Sequence, residues 1–366
     1  MNTIVPTPKL RVGFLSGIRH AVPYAQILAD HPRVQLVGVA EDPDTPSWMQ
    51  DDSASAAATL GIPFFARVQD LLAADAADLV IVCSEPTRHA DLAIRALEAG
   101  RHVLIDKPVA TTVADADRIA AAATASGATV SVVNRLASPA VQRLRRWIDA
   151  GHLGLPLHVD VEWFASGAHF ATSVERPELV VDPSLSGGGE LLNFLLYPVD
   201  YIRELTGLET VEIHCEAATL FSAAHKEAGV EDTAIVSLLL QNGVTATVTL
   251  GRIPAAPGSG PVSCSIRLLG SHGHAVADDD HPQVTRYGTG TESISAVPVD
   301  GPSSTAILRR FLNDHVDAVL DKKPPRYTLA QACASLRVIE AAYASTRSGQ
   351  PVQLARTATP VLKESP

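Results

Sequence analysis

The chain has no run of basic residues, and its 29 lysines and arginines are outnumbered by 40 aspartates and glutamates. With a formal net charge of −11 and no cationic cluster, nucleic acid and anionic membrane surfaces are excluded as partners. Long apolar runs are missing too: "LVIVC" and "LLNFLLY" are too short to cross a bilayer. "MNTIVPTPKL" lacks a charged lead followed by an apolar stretch, so no secretory signal is expected. The four cysteines (Cys83, Cys215, Cys264, Cys333) stand far apart with no CxxC. They read as buried thiols in a reducing compartment, which makes a cytoplasmic protein the expectation. "GSHGHAVADDDHPQ" gathers His272, His274, Asp278, Asp279, Asp280 and His281, but the spacing matches no zinc or calcium motif. It is read as a polar loop between strands, and no metal is expected.

What is present is enough apolar material, 46% of 366 residues, for two cores. The first third alternates apolar, β-branched runs with Ala/Leu-rich helical segments: "KLRVGFL", "VQLVGVAE", "DLVIVCS", "HADLAIRALEAG", "HVLID", "VADADRIAAAATASG", "TVSVVN". Continuous apolar strands separated by helices indicate an α/β domain, a Rossmann-like, doubly wound parallel sheet covered on both faces. Gly100 and Gly127 fall where helix C-caps belong. After about Asn134 the rhythm changes to one helix, "SPAVQRLRRWIDAG", and long alternating runs. "IVSLLL-QNG-VTATVTL" reads as a hairpin on an Asn-Gly turn. This half is expected to be an α+β domain with an open, largely antiparallel sheet. The domains are placed at 1–133, for a dinucleotide, and 134–366, for substrate and oligomerisation. A terminal helix over about 328–348 is expected near the first domain, and "TATPVLKESP" is expected to fray.

"RVGFLSGIRHAVPYAQIL" opens like a dinucleotide-binding strand, turn and helix, yet most glycines of G-x-G-x-x-G are missing. Gly13 is read as ending the strand, Ser16 and Gly17 as the turn, and Ile18 and Arg19 as filling places usually small. Pro23 suits the first turn of a late-starting helix. Gly17 can bring backbone close to a pyrophosphate, and Arg19 can add charge. Glu41 closes the second strand, where a carboxylate accepts both ribose hydroxyls and repels a 2′-phosphate; NAD is therefore favoured over NADP. An ordinary solvated glutamate there remains the alternative.

Ligands of open α/β sheets sit beyond the carboxyl ends of the strands. "CSEPTRH", "IDKPVA" and "VVNR" land there, offering Ser84, Glu85, His89, Asp106, Lys107 and Asn134. Pro108 restricts Lys107 to extended backbone, which makes its ammonium a fixed electrostatic group. The alternative is a lysine that only salt-bridges Asp106. In "SGGGELLNFLLYPVDYI" three glycines run into a helix carrying Asn193, Tyr197 and Asp200 on one face. A core tyrosine and a capping aspartate are the alternative there. His169, Arg176 and Asp182, before the glycines, are candidate substrate contacts.

Together these stretches resemble the glucose–fructose oxidoreductase / inositol dehydrogenase / rhizopine-catabolism (Gfo/Idh/MocA) family, almost end to end. "HADLAIRALEAGRHVLIDKPVA" is similar to its H-A-x-x-A-x-x-A-L-x-A-G-K-H-V-x-x-E-K-P segment, with Asp106 in place of Glu. "SEPTRH" resembles its T-P-P-x-x-H cofactor loop at Ser84, Pro86 and His89. "VNRLASPAVQRLRRWIDAGHLGLP" resembles its crossover between domains, and "GVEDTA" and "RSGQPVQL" read like the family. In its G-G-G-x-L-x-D-x-G-x-H helix the Asp and His flank the substrate; Asn193 and Tyr197 hold those places here. Tyrosine in the His place resembles a variant carried by some members of the family. The resemblance implies a nicotinamide cofactor, a sugar, polyol or inositol substrate and a homo-oligomer.

Oxidation of a secondary alcohol needs a group to take the hydroxyl proton. Asn193 cannot, because an amide does not titrate; it can orient the hydroxyl. A free phenol titrates near 10, and a neighbouring ammonium favours phenolate. A Tyr197–Lys107 pair is therefore expected, Tyr197 exchanging the proton and Lys107 stabilising the alkoxide. Two alternatives stay open: glycoside cleavage or elimination with no net redox change, and a non-catalytic binding relative.

Overall fold

The structure, a computed structural model, describes residues 9–73, 76–166, 176–253, 263–278, 283–288, 291–296 and 303–355. The chain divides into two compact units, Met1–Val133 with Arg309–Cys333, and Asn134–Leu308 with Ala334–Pro366.

The first unit runs β1 (Leu10–Leu15), α1 (Ala21–Ala29), β2 (Val34–Ala40), α2 (Ser47–Leu60), β3 (Phe64–Phe65), α3 (Val68–Leu72) and β4 (Leu79–Val82). It continues with α4 (His89–Glu98), β5 (His102–Ile105), α5 (Val113–Ser126) and β6 (Val130–Val132). The strands pair in the order β3-β2-β1-β4-β5-β6, all parallel. This is the doubly wound arrangement read from the alternating apolar runs. The order reverses between β1 and β4, and ligands of such sheets bind at that reversal. Every residue of β4 is buried, as a strand covered on both faces requires. Gly13 lies inside β1 rather than at its end, beside a register shift against β2. α5 ends on Gly127, with φ +67°.

The second unit begins with α6 (Pro139–Asp149), β7 (Pro156–Ser166), α7 (Glu178–Val181), α8 (Pro183–Ser186), α9 (Glu190–Phe194) and α10 (Leu196–Thr206). Then come β8 (Thr210–Ala218), α11 (Ala223–Ala228), β9 (Thr233–Leu240), β10 (Thr245–Ile253), β11 (Ser263–Gly270), β12 (Gly273–Asp278), β13 (Gln283–Gly288) and β14 (Thr291–Ala296). The chain closes with α12 (Ser303–Leu320), α13 (Leu329–Ser348) and β15 (Val352–Gln353). The division between the units falls within both α12 and α13. Nine strands form one sheet, β14-β13-β12-β11-β7-β10-β9-β8-β15, in which β10 and β7 run parallel and the other pairs antiparallel. The β9–β10 hairpin turns through Asn242 and Gly243, both at positive φ, as a tight hairpin turn demands.

Two further readings change. The helix after the glycines is two segments, parted at Leu195. Pro198 explains the break, because its ring removes the N–H that would pair with the Phe194 carbonyl and crowds that oxygen. The histidine- and aspartate-rich stretch is partly strand: His274 and Asp278 lie on β12, whereas Asp279, Asp280 and His281 fall outside the described residues. His169 and "TATPVLKESP" also lie outside them. Among the described residues no helix is long and apolar enough to cross a membrane.

Candidate active site

The first turn keeps its shape with a side chain in place of glycine. Ser16 sits at φ +66°, fully buried, with its amide donating to the Ala40 carbonyl at 2.8 Å. Left-handed backbone in a non-glycine residue carries about 1 kcal/mol of strain. The Ser16 hydroxyl is buried with no hydrogen-bond partner among the described residues. Gly17 is needed for packing: a Cβ there would lie 2.9 Å from that of Ala56. Its N–H donates to Ser53 Oγ at 2.9 Å, which donates on to Glu41 at 3.1 Å. Ile18 is buried, and Ala21, fully buried, opens α1.

The tips of β4 and β5 are knotted to that turn. Asp106, fully buried, accepts from His20 Nδ1 and Tyr24 Oη, both at 2.7 Å, and from the Lys107 amide at 2.8 Å. Arg19 Nε stands 4.0 Å from the same carboxylate. Burial by itself raises this carboxyl, but His20 and Arg19 outweigh it and hold it well below the usual carboxylate range. Lys107 is 7% exposed, its peptide to Pro108 is cis, and its carbonyl accepts from Arg19 at 3.4 Å. His89 bridges the two tips, with Nδ1 2.6 Å from the Pro108 carbonyl and Nε2 3.1 Å from that of Ser84. Burial, against the pull of Asp106, pushes His89 down to about 4, so it is neutral at pH 7.

Glu41 stands just past β2, where the sequence places it, but it is not an open acceptor. Its carboxylate takes Arg88 Nη1 at 2.8 Å, Arg88 Nη2 at 3.4 Å, Ser53 Oγ at 3.1 Å and the Asp42 amide at 3.1 Å. Arg88 Nε also donates to Glu85 at 2.6 Å, while the other oxygen of Glu85 is buried without a partner among the described residues. The Ser84 hydroxyl turns to its neighbour's carbonyl.

The second unit holds the glycine-led segment. Gly189 is glycine because a Cβ there would lie 2.3 Å from the Glu231 carbonyl. The Glu231 side chain accepts the Leu191 amide at 2.9 Å, capping the start of α9. Glu190, fully buried, binds His225 Nε2 at 2.9 Å, Arg252 Nε, and Asn193 Nδ2 at 2.8 Å. Burial raises Glu190, and Arg252, His225 and Asn193 more than reverse it, keeping the carboxylate ionised. Nδ2 of Asn193 is thereby committed to Glu190. Tyr197 stacks on Trp163 with centroids 4.7 Å apart, and Arg135 lies 5.3 Å from the Trp163 centroid. Asp200 is structural: Asn134, Ser335 and Arg203 donate to it at 2.7, 2.6 and 2.9 Å. Asn134 is thereby committed to Asp200. Asp182 caps α8, and Arg176 is exposed at the edge of the described segment.

Residues 12–134 match the profile described as "Oxidoreductase family, NAD-binding Rossmann fold", and residues 141–276 match the GFO/IDH/MocA C-terminal domain. The chain belongs to the Gfo/Idh/MocA family. It is 26% identical to the uncharacterized oxidoreductase YrbE of Bacillus subtilis over 60% of its own length and 61% of that protein. To the inositol 2-dehydrogenase of Rhizobium meliloti it is 27% identical over 77% of this chain and 79% of that protein. The fold matches GenD2 from gentamicin A biosynthesis, solved in complex with NAD, at a TM-score of 0.79 and 23% identity, covering 97% and 99% of the two chains.

This Gfo/Idh/MocA protein is thus an NAD-binding oxidoreductase, and its residues fit the cofactor: the partnerless Ser16 hydroxyl and the buried Arg19 cation both stand at the first turn. The first unit gathers Gly13, Ser16, Gly17, Ile18, Arg19, Glu41, Ser84, Glu85, His89, Asp106 and Lys107; the second holds Asn134, Arg176, Asn193 and Tyr197. Sequence reasoning passed over Arg88, Glu190, His225 and Arg252. Only Arg88 had a local signal, a cation inside "SEPTRH". The other three meet through long-range pairing that no spacing announces.

Proposed function

We propose that this protein oxidises a secondary hydroxyl of an inositol, sugar or related polyol. The hydride acceptor is NAD+, which when bound supplies the redox chemistry. Lys107 stabilises the developing alkoxide with its ammonium. Tyr197, acting as phenolate, takes the hydroxyl proton at Oη, and Asn193 orients that hydroxyl. The observation that carries the reading is Lys107, a buried lysine directly beyond β5, tied through Asp106 to the altered first turn. Relatives named inositol 2-dehydrogenase support the polyol class.

The test is a panel of inositols, aldoses and polyols offered with NAD+, followed by NADH absorbance and product analysis. Substrate-dependent NADH is the expected result. Product without net NADH overturns the reading in favour of redox-neutral cleavage or elimination, and no product from any class overturns it outright.

A further inference from the structure

At the tip of β2, fold logic places a carboxylate to receive the 2′- and 3′-hydroxyls of the adenosine ribose; an arginine nearby accommodates a 2′-phosphate instead. This chain has both, and they are stacked in one order. The side chain of Glu41 is fully buried, whereas that of Arg88, bound to it at 2.8 Å, is 23% exposed. Of the two side chains at this tip, it is that of Arg88 that reaches the surface.

Glu41 is also saturated. Two carboxylate oxygens offer about four acceptor positions. Arg88 fills two, Ser53 and the Asp42 amide the others. A ribose hydroxyl can bind Glu41 only if an arm of Arg88 yields. The 3.4 Å contact from Nη2 is the weakest of the four and is the one to go. Among the described residues Nη2 is otherwise held by the Met49 sulfur at 3.8 Å. Glu85 keeps Nε at 2.6 Å, so the guanidinium can release Nη2 without leaving its place.

We propose that Arg88 is a specificity residue for the adenosine end of the cofactor, screening Glu41 and donating to a 2′-phosphate, so that this protein binds NADP+ as well as NAD+. Glu41 still favours NAD+, because the carboxylates Glu41, Asp42 and Glu85 outnumber the guanidinium groups of Arg88 and Arg95 that pair with them. The balance is close, and one substitution on either side of the ion pair shifts it. This inference rests on the dinucleotide reading of the first unit and not on the substrate.

The test is calorimetric titration of the purified full chain with NAD+ and with NADP+ at one fixed ionic strength. Wild type is expected to bind both, with NADP+ within about tenfold of NAD+, a factor of ten being 1.4 kcal/mol. Glu41→Gln is expected to reverse the order. Arg88→Gln is expected to weaken NADP+ by at least about tenfold relative to NAD+. Because Arg88→Gln strips two buried carboxylates of their partner and can unfold the unit, Arg88→Lys is measured alongside. It keeps the charge and loses the fork, so its NADP+ affinity should fall between the two. Binding of NAD+ alone by wild type, or an unchanged NADP+/NAD+ ratio in Arg88→Lys and Glu41→Gln, overturns the role of Arg88 and leaves the dinucleotide reading intact. Binding of neither dinucleotide overturns both.

Discussion

Asp106 and His20 meet at 2.7 Å, a carboxylate beyond β5 against an imidazole of the first turn. The contact joins the lysine segment to the turn that lost its glycines, with Tyr24 on the other carboxylate oxygen. Asp106→Asn keeps the shape and removes the charge, leaving Arg19 and His20 without their counter-ion. Chemical denaturation at pH 7 should show a loss of about 2 kcal/mol. Because the folded carboxyl lies below its unfolded value, the wild-type advantage exists above about pH 4 and fades as pH falls further. Equal stability of the two proteins at pH 7 contradicts the tie.

Acid should also loosen the first unit earlier, through two histidines. Burial pushes His89 and His315 down to about 4, the latter helped by His102. An unfolded histidine titrates near 6.5, so between these values the unfolded chain binds more protons. Stability therefore falls as pH drops from about 6.5 toward 4, each group contributing at most about 3 kcal/mol. Both ring nitrogens of His315 are buried without a partner among the described residues, so removing the ring strands none of these. The melting temperature of His315→Leu should fall less steeply than wild type's over this range. Parallel pH profiles would show that His315 does not titrate in this window.

Glu190 holds Arg252, His225 and Asn193 at one buried carboxylate. Glu190→Gln leaves the Arg252 guanidinium buried beside a neutral amide. Equilibrium denaturation should register a loss of about 3 kcal/mol, the size for breaking a buried ion pair from one side. A loss below about 0.5 kcal/mol, the level of an ordinary surface substitution, would place this cluster outside the core of the unit.

Much of this was legible in the residues because it is local. "LVIV" and "VLI" are apolar throughout, and a strand buried on both faces needs nothing else to be recognised. The Asn-Gly hairpin follows from two positions that must take positive φ. The two-residue β3 carried no such signal, since Phe64–Phe65 is strand only because β2 lies beside it. The glycines before α9 announce a close approach but not its partner, which for Gly189 is the Glu231 carbonyl. Glu41 was correctly set past β2, but its pairing with Arg88, 47 residues on, depends on how α4 approaches the sheet. Charge pairs across such distances are what a linear reading misses.

The most direct measurement is single-turnover oxidation of an accepted polyol by Lys107→Ala, Tyr197→Phe and the double variant, with the NAD+ dissociation constant taken in parallel. Each single change should slow turnover by at least about 100-fold, and the double variant little further, as the proposed sharing of one proton transfer requires. NAD+ affinity should stay within about threefold of wild type, below 1 kcal/mol. Near-normal turnover in both single variants, or losses that merely track weaker NAD+ binding, would contradict the assignment of the proton chemistry to Lys107 and Tyr197.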